Sequence, residues 1–115
     1  MYSPGLHILA QFTAPASTLT DAGSCKRHFD QLVDTLGLTN VGEVYHSFPN
    51  GGFTVTICLT ESHIAMHTWP EYGLATFDVF LSNYRRDNQA RVRQIYTETL
   101  SFFQGIEQTK TELLR

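Results

Sequence analysis

The chain has 115 residues, of which 42% are hydrophobic and 17% charged, a balance typical of a globular protein rather than a disordered one. Its formal net charge of −3 offers no basic field to nucleic acid or to an anionic membrane. No apolar run reaches the length of a membrane span, and the first residues do not resemble a signal peptide. We therefore expect a single domain over residues 1–115 in the cytoplasm.

The first part of the chain predicts a strand and then a helix. Apolar and other residues alternate over residues 6–12, which is typical of a strand with one apolar face. Over residues 22–36 the apolar positions recur at steps of three and four, which predicts an amphipathic helix. Thr20 or Asp21 can cap its start, and Gly37 ends it.

Four further strands are predicted in the middle of the chain. Residues 41–48 form the first of them, and the Pro-Asn-Gly-Gly turn at 49–52 separates it from a half-buried strand at 53–60. Two more strands follow at 63–69 and 74–81. A helix over residues 88–104 and a weaker edge strand at 106–114 complete the pattern.

This order, β-α-β-β-β-β-α-β, predicts an α+β fold. Consecutive strands favour an antiparallel sheet, and two helices can cover one of its faces in a two-layer sandwich. The second face carries the polar residues of strand 53–60, which makes it the expected place for a site.

Residues 61–71, Glu-Ser-His-Ile-Ala-Met-His-Thr-Trp-Pro-Glu, hold the densest group of reactive side chains. The Ser62 hydroxyl directly follows Glu61, and His63 and His67 share one face of the predicted strand. A serine in this setting is a place where a side chain can attack its own backbone.

With the Asp-Val-Phe string at residues 78–80, this block resembles the prokaryotic S-adenosylmethionine decarboxylases. In outline the resemblance covers most of the chain. It implies their fold and activity in spermidine and polyamine biosynthesis, and a pyruvoyl cofactor made from Ser62 without any metal. Self-cleavage between Glu61 and Ser62 would give pieces 1–61 and 62–115. The new ketone would form a Schiff base with the substrate amine, and the neighbouring carbonyl would accept the electrons left by carbon dioxide.

The resemblance also implies roles for other residues. His67 matches the processing histidine, and Thr54 stands where the family has a processing serine. Ser82 occupies the position of the family's cysteine, which acts as an acid, and a hydroxyl is a much weaker acid than a thiol.

Substrate contacts follow from the same resemblance. Phe48 and Trp69 match the aromatic residues that hold the adenine, and Glu71 is a polar contact. A sulfonium cation beside an aromatic face would gain cation–π attraction.

The resemblance further implies a homodimer, with Ser62 and Ser82 of one subunit facing Thr54 and His67 of the other. Two alternatives remain open. The first, suggested by Ser82 in place of the cysteine, is an unprocessed, impaired or regulatory homologue. The second is a pyruvoyl enzyme for another amine, such as ornithine or arginine.

Other interpretations of single residues are less favoured. Ser62 lacks the flanking glycines of a hydrolase nucleophile. A metal site formed by His63 and His67 with Glu61 or His46 is also disfavoured. The spacing of the two histidines fits a metal site on a helix better than one on a strand.

Several residues have a simple structural interpretation. The two cysteines are expected to be free thiols, with Cys58 a small buried residue. His7 and His46 are interpreted as hydrogen-bonded structural histidines. The arginines are interpreted as a solvated helix face: Arg85, Arg86, Arg91 and Arg93.

Overall fold

A computed structural model describes all residues, 1–115, and contains a single six-stranded antiparallel sheet. Its strands are β1 (Leu6–Thr13), β2 (Asn40–Ser47), β3 (Phe53–Leu59), β4 (Ser62–Trp69), β5 (Leu74–Leu81) and β6 (Ile106–Leu114). They lie side by side in the order β2-β3-β4-β5-β1-β6. The antiparallel α+β sheet predicted from the sequence is therefore confirmed, including the weakly signalled edge strand β6.

Three helices connect the strands: α1 (Ala16–Leu19), α2 (Ala22–Thr35) and α3 (Gln89–Phe103). A short 3-10 turn, Pro70–Tyr72, joins β4 to β5. Asp21 caps α2 by accepting a hydrogen bond of 3.0 Å from the Ser24 amide, as one of the two predicted caps. None of the helices combines the length and the apolar character that a membrane crossing requires.

The core lies between one face of the sheet and the two long helices. Alternate residues of the strands point into it, because successive side chains of a strand face opposite ways. Phe77 of β5 illustrates the packing, since its ring lies 6.1 Å from Phe29 of α2 and 6.2 Å from Tyr96 of α3. Both long helices therefore cover the same face, as predicted.

The second face of the sheet, here called the open face, carries no helix. Thr54, Thr56 and Cys58 of β3 lie on it, beside His63 and His67 of β4. Cys58 is exposed there, so the prediction of a small buried residue was wrong. Because successive residues alternate, Cys58 could be buried only if another layer covered this face.

Cys25 lies on α2 and is fully buried, and burial raises the pKa of its thiol to about 12. Both cysteines are free thiols, as expected.

Thr68 joins α1 to the sheet through buried hydrogen bonds. Its hydroxyl donates to the carbonyl of Leu19 at 2.8 Å and accepts from the amide of Phe53 at 2.9 Å.

We expect Thr68→Val to lower the free energy of unfolding by roughly 1–3 kcal/mol for each buried group left without a partner. Urea unfolding measures this loss. The matched change Thr56→Val, at an exposed position of β3, should stay within about 0.5 kcal/mol. Equal losses for the two variants would contradict this account.

Candidate active site

The peptide bond between Glu61 and Ser62 lies in the tight turn from β3 to β4. Leu59 and Ser62 pair across this turn, so Thr60 and Glu61 alone connect the strands. Ser62 has φ = 141°, a backbone conformation that residues with a side chain rarely adopt. Such a conformation costs of order 1–3 kcal/mol and persists where surrounding contacts enforce it. The backbone is thus strained at the predicted cleavage point.

The Glu61 side chain is held by two groups from the segment before α3. Arg86 donates from Nε to one carboxylate oxygen at 3.0 Å and from Nη2 to the other at 2.8 Å. Asn88 adds a hydrogen bond of 2.9 Å from its amide nitrogen. The Arg86 hydrogen bonds are the main reason that the pKa of Glu61 is lowered. These contacts fix the turn from its amino side.

The four arginines were expected on a solvated helix face, and this is wrong for Arg86 and Arg91, whereas Arg93 does lie exposed on α3. Arg86 precedes α3 and binds Glu61. Arg91 donates to the carbonyl of Leu36 at 3.1 Å, and Arg93 forms an ion pair with Glu112. A charge cluster in the sequence carries no information about such distant partners.

The Glu61 carbonyl accepts a hydrogen bond of 2.8 Å from the Ser82 amide. Asn88 in turn binds the Ser82 carbonyl at 2.8 Å, which fixes this residue at the end of β5. The Ser82 hydroxyl makes no hydrogen bond within the chain. An amide aimed at a carbonyl oxygen stabilises negative charge that develops there during nucleophilic attack.

His63 is a member of the site that the sequence did not assign. Its Nδ1 lies 3.3 Å from the Ser62 hydroxyl oxygen, within reach for a weak hydrogen bond. His63 also stands edge-on to His7, with 5.7 Å between the ring centres.

His7 was interpreted as a hydrogen-bonded structural histidine, and this was wrong for one of its nitrogens. Its Nε2 is buried and has no hydrogen-bond partner. The nearest carboxylate oxygen, on Asp78, is 3.8 Å away. Burial lowers the pKa of His7, against the opposite effect of that carboxylate.

A cleft of about 510 Å³ opens at the other end of β4, and its size suits a small-molecule ligand. Five predicted site residues line it: Phe48, Thr54, His67, Trp69 and Glu71. Phe48 and Trp69 are 46% and 37% exposed, so both rings lie at the surface of the cleft and not in the core.

Within the cleft, Thr54 and His67 face each other in the β3–β4 register, and the threonine hydroxyl is hydrogen-bonded to Nδ1 of the imidazole. The Glu71 carboxylate accepts a hydrogen bond of 3.0 Å from the Asn50 side chain.

The predicted residues therefore form two separate groups within one chain. Five residues along a strand span about 16 Å, which keeps Ser62 away from His67. The cleavage group contains Glu61, Ser62 and Ser82, and the cleft group contains the five residues lining the cleft. His63 and His67 are likewise about 13 Å apart along β4, which rules out the metal site suggested for this pair.

Comparisons with known proteins identify the family. The family model described as S-adenosylmethionine decarboxylase matches residues 6–114, so the chain belongs to that family. A protein named S-adenosylmethionine decarboxylase proenzyme from Archaeoglobus fulgidus is 39% identical over 77 residues, which cover 66% of this chain and 69% of the relative. One of the same name from Aquifex aeolicus is also 39% identical over 77 residues, but these cover 57% of the relative.

The fold matches as well. The crystal structure of the adenosylmethionine decarboxylase from Aquifex aeolicus superposes with a TM-score of 0.79 and 25% sequence identity. The match covers 100% of this chain and 91% of that one. The resemblance recognised in residues 61–80 is thus confirmed at the level of family and fold.

The ion pair between Arg86 and Glu61 gives a testable pH dependence. Because the folded pKa of Glu61 is lowered, the pair stabilises the fold above the unfolded pKa of about 4.3 and loses this effect as the pH falls through the folded pKa. Arg86→Gln should therefore unfold at lower urea than the wild type at pH 7, and the gap should narrow below about pH 4 to what the hydrogen bond from Arg86 to the Gly37 carbonyl contributes. Arg85→Gln is the matched control, since that side chain is exposed. A gap in acid as large as the gap at pH 7 would contradict the role of Glu61.

Proposed function

We propose that this chain is a pyruvoyl-dependent S-adenosylmethionine decarboxylase, a carboxy-lyase, that makes its cofactor by cleaving itself between Glu61 and Ser62. One observation carries the proposal: a serine with strained backbone has a histidine nitrogen at its hydroxyl and an amide at the preceding carbonyl. The proenzyme names of the relatives support a maturation step of this kind.

The first step follows from these contacts. The Ser62 oxygen attacks the Glu61 carbonyl carbon while its proton passes to His63, 3.3 Å away. The Ser82 amide stabilises the negative oxygen that results. The bond from carbon to the Ser62 nitrogen then breaks, and that nitrogen takes up the proton, leaving an ester. Release of the strained φ favours this exchange.

The second step removes the Ser62 Cα proton and breaks the ester bond. A base takes that proton, the Cβ–oxygen bond breaks, and Glu61 leaves with a free carboxylate. The dehydroalanine that remains adds water and loses ammonia. The new carboxylate would be the end of piece 1–61, which Arg86 and Asn88 hold in place through the Glu61 side chain.

The residues fit a pyruvoyl group at position 62. That position begins β4 and is half-buried, with the Ser82 amide on one side and His63 on the other. The group itself supplies a ketone that binds the substrate amine and an adjoining carbonyl that accepts electrons. The chain must bind the substrate, orient it and deliver a proton after carbon dioxide has left.

A second copy of the chain completes the site in this proposal. The cleavage group and the cleft group lie at opposite ends of β4, about 16 Å apart, and the histidines at the two ends, His63 and His67, share the open face. A two-fold axis through that face places the cleft group of one copy beside the cleavage group of the other. His67 and Thr54 then supply the base that the second step needs. The exposed aromatic residues of the cleft would hold the purine of the substrate.

The first test is the mass of the purified chain. We expect two pieces, 1–61 and 62–115, with the second lighter by one ammonia than a piece starting with serine. Ser62→Ala should remain full-length, because it has no attacking oxygen. A full-length wild-type chain with an intact serine would instead favour the unprocessed homologue.

His63 and His67 should affect maturation differently from a third histidine on the same face. His63→Asn removes the base for attack, and His67→Asn removes the base for elimination. Each should slow formation of the pieces by about 10²–10⁴-fold, followed by denaturing gel electrophoresis. His46→Asn is the matched control, as this exposed histidine pairs with Thr54 across β2 and β3 but its side chain forms no hydrogen bond with Thr54 or Ser62. Equal rates in all three variants would contradict the assigned bases.

Substrate binding can be measured without turnover in the uncleaved Ser62→Ala background. Adding Trp69→Ala or Phe48→Ala should weaken the calorimetric affinity for S-adenosylmethionine at least about tenfold, or about 1.4 kcal/mol. Tyr72→Ala, an exposed aromatic residue outside the cleft, should leave the affinity unchanged. If only the Tyr72 variant lost affinity, the substrate would bind outside the cleft.

A further inference from the structure

Three potential metal ligands meet on the open face, outside the cleft. They are His7 of β1, His63 of β4 and Asp78 of β5, and their ligand atoms lie within 4.8 Å of one another. Neither the predicted decarboxylation roles nor the cleft makes use of His7 or Asp78.

The sheet register brings these three residues together. His7 and His63 both pair with Phe80, from the two strands that flank β5. Their rings pack against the Phe80 ring at 5.3 Å and 6.0 Å between centres, which limits how far they can turn. Asp78 lies two residues before Phe80 and so faces the same side of the sheet.

The His7 side chain is the feature that points to a ligand. His7 is 5% exposed, yet its Nε2 has no hydrogen-bond partner and is 3.8 Å from Asp78. Buried polar atoms are nearly always paired, and an exception calls for an explanation such as an ion. This nitrogen is aimed at the space that the cluster surrounds.

We propose that His7, His63 and Asp78 bind one divalent first-row transition-metal ion, such as Zn²⁺, Co²⁺ or Fe²⁺. Imidazole suits these metals, whereas Mg²⁺ and Ca²⁺ prefer oxygen ligands alone. Two histidines and one carboxylate leave coordination positions for water. The Asp78 side chain is 39% exposed, so the ion can enter from the open face.

The ligands need a small movement to close on the ion. Ligand atoms about 2.0–2.2 Å from a tetrahedral zinc lie about 3.3 Å apart. The distances between the three ligand atoms must therefore shorten by about 1.5 Å at most. Rotation of the Asp78 and His63 side chains, both half-buried, can provide this.

Arg115 opposes the ion in the present arrangement. Its guanidinium lies 3.4 Å from Nδ1 of His7 and packs over the Phe80 ring. A donor at Nδ1 leaves the proton of the neutral ring on Nε2, where the metal must bind. Metal binding therefore moves the ring proton to Nδ1 and displaces Arg115.

The site also reaches the cleavage group, because His63 contacts the Ser62 hydroxyl. Binding itself depends on the cluster alone and not on the proposed decarboxylase. If self-cleavage occurs as proposed, an ion bound by His63 should slow it.

The test is titration of the full chain, without an added histidine tag, with Co²⁺ by visible absorption and with Zn²⁺ by calorimetry. We expect one ion per chain, with no competition from a large excess of Mg²⁺. His7→Gln, His63→Gln and Asp78→Asn should each weaken binding at least about tenfold, since loss of even an outer partner of a ligand typically costs 10–100-fold. His46→Gln, an exposed histidine of the same face, should bind like the wild type.

Absence of binding up to about 1 mM, equal affinity in the His7 and His46 variants, or full competition by Mg²⁺ would overturn the proposal. Far-UV circular dichroism checks that each variant is folded. Arg115→Ala should increase the affinity for the metal ion, because it removes a positive charge and the donor at Nδ1. It should bind Zn²⁺ more tightly than the wild type, and weaker or equal binding would show that Nε2 of His7 is not a ligand.

Discussion

The short turn between β3 and β4 is held through Glu61, on the amino side of the Glu61–Ser62 bond, and the rest of the candidate site depends on this. Arg86 and Asn88 fix the Glu61 side chain, and the Ser82 amide fixes its carbonyl. Ser62 is left with a positive φ that a side chain disfavours. Contacts from the end of β5 and from the segment before α3 maintain this strain, so residues far from the turn in the sequence determine the conformation of one peptide bond.

The geometry of the sheet determines which of these residues lie close enough to act together. Strand β4 carries Ser62 at one end and His67 and Trp69 at the other, and its extended backbone keeps the two ends apart. One copy of the chain consequently has the peptide bond of the proposed cleavage and the cleft at two different places. Because His63 at one place and His67 at the other lie on the uncovered face, the proposed symmetric pairing of two copies would unite them.

Much of the fold could be predicted because it depends on local pattern. The alternation in residues 53–59 and the three- and four-residue steps in 22–36 directly reflect burial on one side. Phe48, Thr54, His67, Trp69 and Glu71 were chosen from a family resemblance, and they do line one cleft. The same resemblance selected Ser62, whose backbone proves to be strained.

The partners of these residues could not be predicted in the same way. Arg86 is 25 positions from Glu61, and His7 meets Asp78 through the register of two strands. Such contacts follow from how elements pack, which no periodicity reveals. The same reason explains the errors at Cys58 and His7, whose burial depends on which face of the sheet is covered.

The intact mass of the purified wild-type chain tests the central claim most directly. The account predicts pieces 1–61 and 62–115, with the second lacking the nitrogen of Ser62. A single full-length chain in which residue 62 is still serine would contradict it.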